Sequence, residues 1–228
     1  MELADALHAA LGEADEDPAV RVVVVTGAGE AFSAGGDLAG GSAEGHMMQI
    51  MRAITRPALA LHRFSKPTIA KVNGVAAGAG FNVALGCDLI VAAESARFCQ
   101  IFSRRALSVD YGGTWLLPRL VGLHKAKELA LLADWIPSDE AREIGIVNRV
   151  VPDAELDAAV DAWATRLAAG PPIAYSLTKR MLTEASSRTF EEALEAEAVA
   201  QSVNLASEDT KEGMRAFFEK RAPEFKGR

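Results

Sequence analysis

The pattern of apolar and polar residues predicts an α/β chain with short strands near the start and helices near the end. Leu3, Leu7 and Leu11 recur at helical spacing and predict a helix over 2–16. The continuous β-branched run over 22–26 predicts a strand buried on both faces of a parallel or mixed sheet. Further apolar runs predict strands beginning at 68 and spanning 87–93, 97–100 and 147–151.

Most of the remaining chain is predicted to be helical. The segment 47–64 has a helical pattern that Pro57 would kink or break, because proline does not fit a helix interior. The methionines at 47, 48 and 51 either line an acyl pocket or pack in the core, and we favour core packing. From residue 125 onward, helical patterns cover 125–133, 138–144, 155–168, 173–186, 189–205 and 207–220. We predict an α/β core over 1–135 and a helical C-terminal oligomerisation subdomain over 136–228, working as one functional unit.

Glycine-rich stretches follow two of the predicted strands. One contains Gly35 and Gly36, and the other runs over 78–80 into a helix-like segment. The first turn of a helix carries backbone N–H groups that lack intrahelical acceptors. Two such N–H groups, from two loops of small residues, can bracket one oxygen atom as an oxyanion hole. A dinucleotide-binding fingerprint is disfavoured because Phe32 occupies the position that its third glycine requires.

Composition and charge exclude several classes of protein. The net charge of −7 argues against a nucleic-acid partner. The apolar runs are too short to span a bilayer, and no secretory signal pattern opens the chain, so we expect a cytoplasmic protein with no membrane partner. Cys87 and Cys99 do not stand in a metal-ligand or redox motif, and no metal site is expected.

The two glycine-rich stretches resemble the signatures of the crotonase (enoyl-CoA hydratase/isomerase) superfamily. Residues 26–38 match the first signature and 69–88 the second, and the similarity continues through 111–119 and 211–220. The resemblance implies a spiral core of stacked β-β-α units. It also implies an acyl-CoA thioester substrate, with coenzyme A entering as part of that substrate and no separate cofactor. The family normally opens with a β-hairpin that is missing here, so either the start codon is assigned too late or the chain is naturally short.

The resemblance assigns the chemistry to particular residues. The oxyanion donors would be the N–H groups of Gly36 and Ala79. The two glutamates of the family's hydratases align with Asn82 and Phe102, neither of which can carry a proton at neutral pH. Asp110 stands where some isomerases and a dehalogenase branch carry an aspartate, and the surrounding motif is most similar to the ring-opening acyl-CoA isomerase of phenylacetate breakdown. The alternative role for Asp110 is to cap the start of the next helix.

The resemblance also implies residues that contact the substrate and the coenzyme. Phe217 and Lys220 would hold the adenine and a phosphate across a subunit boundary, in a homotrimer or a dimer of trimers. An acidic protein needs such local basic residues to bind an anionic coenzyme. Asp37 has the alternative role of bracing its loop. The other residues implied to contact the substrate or coenzyme A are Ala34, Asp37, Leu38, Gly78 and Phe102.

These assignments predict an enoyl-CoA isomerase that uses one aspartate as its acid and base. A hydratase is the first alternative, but it needs a water-activating carboxylate that the sequence does not supply at the aligned positions. A non-catalytic acyl-CoA-binding or structural subunit is the second alternative, and such a protein has no need of Asp110.

Overall fold

Two stacked four-stranded sheets form the centre of the protein in the computed structural model, which describes residues 2–36 and 46–228. In chain order the strands are β1 (Val23–Thr26), β2 (Ala31–Ser33), β3 (Thr68–Val72), β4 (Val75–Ala77), β5 (Leu89–Ala93), β6 (Arg97–Cys99), β7 (Ile136–Pro137) and β8 (Arg149–Val151). One sheet has the order β1-β3-β5-β8 and is parallel throughout. The other has the order β2-β4-β6-β7, in which only β7 is antiparallel.

Helical segments complete each repeat of this arrangement. The helices are α1 (Glu2–Glu16), α2 (Met47–Ile54), α3 (Arg56–Arg63), α4 (Ala79–Gly86), α5 (Gly113–Val121), α6 (Leu123–Leu132), α7 (Ser138–Glu143), α8 (Leu156–Ala168), α9 (Pro172–Glu184), α10 (Phe190–Ala206) and α11 (Glu208–Glu219). Each early pair of strands gives one strand to each sheet and is followed by helix: α2 and α3, then α4, then the 3₁₀ helix Ile101–Arg105. This is the predicted spiral of β-β-α units, and the predicted fold class is confirmed.

The core lies on the middle strands of the parallel sheet. Ile69, Val72 and Val91 are fully buried, and α8 covers strands β3 and β5. The edge strand β1 differs from its prediction, because its residues alternate between half-buried and exposed and Val24 is 38 % exposed. The prediction of a strand buried on both faces was therefore wrong. A β-branched run also suits an edge strand with one covered face.

The break predicted at Pro57 is present. Helix α2 ends at Ile54, and α3 begins at Arg56 with Pro57 in its first turn. Proline is tolerated there because an N–H group at that position would have no intrahelical acceptor. Thr55 joins the two helices and donates from its Oγ1 to the Met51 carbonyl at 3.0 Å. Core packing does not explain Met47 and Met48, which are 65 % and 55 % exposed.

The C-terminal part of the chain both contributes to the sheets and extends away from them. Strands β7 and β8 and helix α8 pack with the sheets, although they follow residue 135. Helix α9 is attached to the segments that precede β3 and β5 through Lys179, whose Nζ lies 2.8 Å from Asp88 Oδ2 and 2.9 Å from the Lys66 carbonyl. The division of the chain at residue 135 stays a prediction. Within the described ranges, no helix combines the length and apolar character needed to cross a membrane.

Candidate active site

The loops that follow β2 and β4 lie side by side. These strands are parallel neighbours, with Ser33 paired to Ala76, so both carboxyl ends reach the same edge. Gly35 has a φ of +97°, and a Cβ added there would lie 3.1 Å from the Ala77 carbonyl oxygen and 3.7 Å from the Ala79 nitrogen. Glycine is therefore required at 35 for its conformation and its close approach to β4. The strand register brings the two glycine-rich stretches together.

The start of α4 supplies one of the predicted oxyanion donors. Ala79 is the first residue of α4, where backbone N–H groups have no intrahelical acceptor. The N–H of Gly78 is used differently, because it donates to the Cys99 carbonyl at 3.0 Å. At Gly80, an added Cβ would lie 2.4 Å from the Ser33 Cβ, so the small residue lets the β2 end approach the helix. The Gly78 N–H is thus already used, and the role of the Ala79 N–H as an oxyanion donor stays a prediction.

The other predicted donor, Gly36, lies at the end of the described segment. Gly36 and Ala34 are exposed, and a Cβ added to Gly36 would meet no atom of the described residues within 4 Å. Asp37 and Leu38 lie outside the described residues. The role of Gly36 as a donor stays a prediction.

Phe102 lies against the loop that carries Gly78. It belongs to the 3₁₀ helix Ile101–Arg105 and is 6 % exposed. Its ring comes within 3.6 Å of the position that a Cβ on Gly78 would occupy. This position, which aligns with one hydratase glutamate, therefore presents an aromatic ring to the site.

Asp110 is held next to the α4 start by its backbone. Asn82 Nδ2 donates to the Asp110 carbonyl at 2.8 Å, and the Gly113 N–H donates to the same oxygen at 3.0 Å. Ala79 and Asn82 are three residues apart on α4 and share a face of that helix. The turn with Asp110 thus contacts α4 about one helical turn after the predicted oxyanion donor. Tyr111 has a φ of +54°, a conformation that costs a non-glycine residue about 1–3 kcal/mol.

The Asp110 side chain does not cap the next helix, and its Oδ1 makes no hydrogen bond to the described residues. Helix α5 begins at Gly113 with Gly112 as its N-cap residue, and no side chain caps it, so the capping alternative is not supported. Asp110 Oδ1 is buried without a hydrogen-bond partner among the residues that the structure describes. Burial raises the pKa of this carboxyl above its ordinary value, because the carboxylate loses water. A half-buried carboxylate with increased proton affinity has the properties of a general base.

A cavity of about 320 Å³ lies between α3, α4 and α5. Leu59 and Val83 contribute apolar surface to its walls, and Asn82 and Tyr111 line it as well. Trp115 also lines it, stacked under the Arg119 guanidinium at 3.8 Å from the ring centroid. Sequence reasoning missed this cavity, because its walls come from three helices whose mutual placement the residue pattern does not specify.

Phe217 and Lys220 lie on a different part of the protein. Both belong to the end of α11, which packs on α10, and Phe217 is 79 % exposed. The tail that follows folds back along α11, where Arg221 makes a bidentate ion pair with Glu212 at 2.6 and 2.9 Å. Their predicted contact with coenzyme A across a subunit boundary stays a prediction.

The thiols of the two cysteines take no part in the contacts described above. Cys87 and Cys99 are both buried as free thiols. Burial raises the pKa of Cys87 to about 12, and Cys99 Sγ donates to the Ala133 carbonyl at 3.0 Å. Within residues 2–36 and 46–228, no cluster of His, Cys, Asp and Glu is suited to hold a metal ion.

The fold and the site together define an α/β protein in which two small-residue backbone loops lie near one half-buried carboxylate. A family model described as enoyl-CoA hydratase/isomerase matches residues 1–228. The chain therefore belongs to the enoyl-CoA hydratase/isomerase family, the crotonase superfamily, and the resemblance noted in its sequence is confirmed. The match supports an enzyme of this family, an acyl-CoA hydratase or isomerase.

Individual relatives carry both hydratase and isomerase names. A probable enoyl-CoA hydratase of Rhodobacter capsulatus is 42 % identical, over 100 % of this chain and 87 % of its own. The 1,2-epoxyphenylacetyl-CoA isomerase of Escherichia coli is 38 % identical, over 98 % of this chain and 89 % of its own. The crystal structure of an enoyl-CoA hydratase from Bacillus anthracis superposes with a TM-score of 0.95 at 35 % identity, covering 100 % of this chain and 89 % of its own.

Proposed function

We propose that the protein is an acyl-CoA isomerase that uses Asp110 as its single acid and base. The observation that carries this proposal is the half-buried Asp110 carboxylate, whose Oδ1 is buried and has no partner within the described part of the chain. The two positions that align with hydratase glutamates support it. Asn82 is engaged in hydrogen bonds through both ends of its amide, and Phe102 is a hydrocarbon.

The proposed reaction moves a double bond without consuming water. The ionised Asp110 removes a proton from the α carbon of a β,γ-unsaturated thioester. The electron pair spreads onto the thioester oxygen, where the N–H groups of Gly36 and Ala79 stabilise the dienolate. The Asp110 carboxylic acid then returns the proton to the γ carbon, which leaves an α,β-unsaturated thioester and the original carboxylate. No proton is gained or lost overall.

We assign the acyl group to the cavity between α3, α4 and α5. The face of α4 that begins at Ala79 continues through Asn82 and Val83, and both of these residues line the cavity. In this assignment, an acyl chain whose carbonyl lies at Ala79 extends along this face toward Tyr111, the residue after Asp110, which also lines the cavity. The apolar walls suit a hydrocarbon or aromatic group.

Assembly and coenzyme binding form a separate part of the proposal. Helices α10 and α11 expose large apolar side chains, including Leu194, Val203 and Phe217 at 48 %, 48 % and 79 %. Exposed apolar surface of this extent is typical of an interface. We propose a homotrimer, or a dimer of trimers, in which Phe217 and Lys220 contact the coenzyme A of a neighbouring subunit.

A paired assay of the purified protein tests the proposed reaction. One reaction contains a β,γ-unsaturated acyl-CoA and is followed by formation of the conjugated thioester. The other contains the matching α,β-unsaturated acyl-CoA and is followed by formation of the 3-hydroxyacyl product. The proposal expects isomerisation to be the faster reaction. Hydration that outpaces isomerisation across short, medium and aromatic acyl groups would favour the hydratase alternative, and binding without either reaction would favour the non-catalytic one.

A further inference from the structure

A chain of two buried amides leads to the turn that carries Asp110. Gln100 Nε2 donates to Asn82 Oδ1 at 2.7 Å, and Asn82 Nδ2 donates to the Asp110 carbonyl at 2.8 Å. Both amide side chains are 1 % exposed. Gly113 makes the approach feasible, since a Cβ at that position would lie 2.5 Å from the Asn82 amide.

The direction of this chain is determined by its Asp110 end. The Asp110 carbonyl can only accept a hydrogen bond, so the Asn82 amide must present its nitrogen there. The Asn82 oxygen then faces Gln100, which must present its own nitrogen in turn. The Gln100 donor thus holds the Asn82 amide in the orientation that the Asp110 carbonyl requires, and Asn82 in turn holds the Asp110 backbone.

Packing alone does not explain a glutamine at this position. Gln100 Oε1 is buried and has no hydrogen-bond partner among the residues described. A buried polar atom without a partner destabilises the folded state, whereas an apolar side chain of similar size would avoid that loss. The amide nitrogen of Gln100 is thus the part of the side chain that the site uses.

We infer that Gln100 and Asn82 are positioning residues, which hold the Asp110 turn so that its carboxylate faces the substrate carbon next to the oxyanion donors. The inference rests on the proposed function, in which Asp110 is the base. Displacing a catalytic group by about 1 Å can lower the rate by about a hundredfold. Asn82, at a position aligned with a hydratase glutamate, thereby acts through Asp110 and not as an acid.

The test compares stability and turnover in Gln100→Leu, with Gln100→Met as a second variant of similar volume. Each variant removes the donor to Asn82 and also the unpartnered oxygen. We expect the melting temperature to change little, because the variants remove one unpartnered buried oxygen, Gln100 Oε1, and leave another, Asn82 Oδ1. In the same variants, kcat for isomerisation should fall about 10–100-fold and KM should stay within about threefold. A purely structural residue would not separate stability from kcat in this way.

Val91→Ala is the matched control. Val91 is fully buried in β5, and its truncation should lower the melting temperature while leaving kcat within about twofold of the parent value. The inference is overturned if the Gln100 variants keep parental kcat, or if they lose stability and retain kcat as Val91→Ala does.

Asp110→Asn, assayed alongside, distinguishes failure of the positioning role from failure of the proposed function. An inactive Asp110→Asn with fully active Gln100 variants rejects only the positioning role, whereas an active Asp110→Asn rejects the proposed function itself.

Discussion

Replacement of Asp110 by asparagine separates the chemistry of the site from its shape. The amide has nearly the same size as the carboxylate but cannot accept the substrate proton. The hydrogen bonds from Asn82 and Gly113 go to the Asp110 backbone carbonyl, so the turn keeps both of them in the variant. Any loss of turnover then reports on the side chain.

The expected loss is that of a general base. Removing such a group lowers the rate about 10²–10⁴-fold, which corresponds to about 2.7–5.4 kcal/mol of transition-state stabilisation. Binding of the thioester should change little, because the predicted oxyanion and coenzyme contacts are made by other residues. The measurements are kcat and KM for isomerisation, together with the rate of deuterium incorporation at the α carbon in D₂O. The exposed Asp134, replaced by asparagine, serves as the control and should leave all three unchanged.

The same variant should gain stability, with a definite pH dependence. Burial raises the pKa of Asp110 in the folded state, so the folded protein holds this proton to a higher pH than the unfolded chain does. The parent therefore loses stability as pH rises from the ordinary aspartate pKa through the raised one, and the asparagine variant does not. Its melting temperature should exceed that of the parent at pH 7, and the difference should shrink as pH falls toward about 4.

Two results would refute this reasoning. Turnover of Asp110→Asn within a few-fold of the parent would mean that Asp110 is not the base. A melting temperature at neutral pH that is unchanged or lowered would mean that the parent carboxylate is not penalised by burial, and that the unpartnered Oδ1 finds a partner in solution.

Three further predictions concern the rest of the site. Ala79→Pro removes the predicted donor at the first position of α4, where proline is tolerated. In a variant with a parental circular dichroism spectrum, kcat should fall about 10²–10³-fold, which corresponds to about 2.7–4 kcal/mol of transition-state stabilisation. A fully active variant would mean that the oxyanion hole lies elsewhere. Trp115→Ala enlarges the cavity, so the ratio of kcat/KM for long over short acyl groups should rise several-fold, and an unchanged ratio means that the acyl group lies elsewhere. Lys220→Glu should weaken the binding of coenzyme A esters and make that binding less dependent on salt. Unchanged binding would contradict a coenzyme A site shared between subunits, and so would a monomer in sedimentation at micromolar concentration.

Sequence patterns were most informative where local chemistry decides the structure. The helix over 2–16, the break near Pro57 and the loops after two strands depend on helical periodicity, on proline and on glycine, and the structure contains all of them. The position of Asp110 beside α4 followed from the family resemblance, because spacing alone does not bring residue 110 close to residue 79.

The pattern failed where distant elements decide the environment. The exposure of Val24 depends on which strands flank β1, and the strand's own residues do not reveal that β1 lies at an edge. The pairing of Gln100 with Asn82 crosses from the end of β6 to the middle of α4, with no local signal in either segment. Sequence reasoning identified Asn82 only as a missing acid, and its hydrogen bond to the Asp110 backbone appeared only in the folded chain.

The pairing of β2 with β4 has a consequence for how this scaffold can acquire new reactions. The predicted oxyanion donors follow neighbouring strands, which backbone hydrogen bonds hold about 4.8 Å apart whatever their side chains are. The three acid–base positions are independent of that spacing, since residue 82 lies on a helix, residue 102 on a 3₁₀ helix and residue 110 in a turn. The side chains at these positions can therefore change while the strands that carry the predicted donors keep their spacing. An exchange at residue 82 would also remove a hydrogen bond to the Asp110 backbone, so in evolutionary terms residues 82 and 110 are expected to change together.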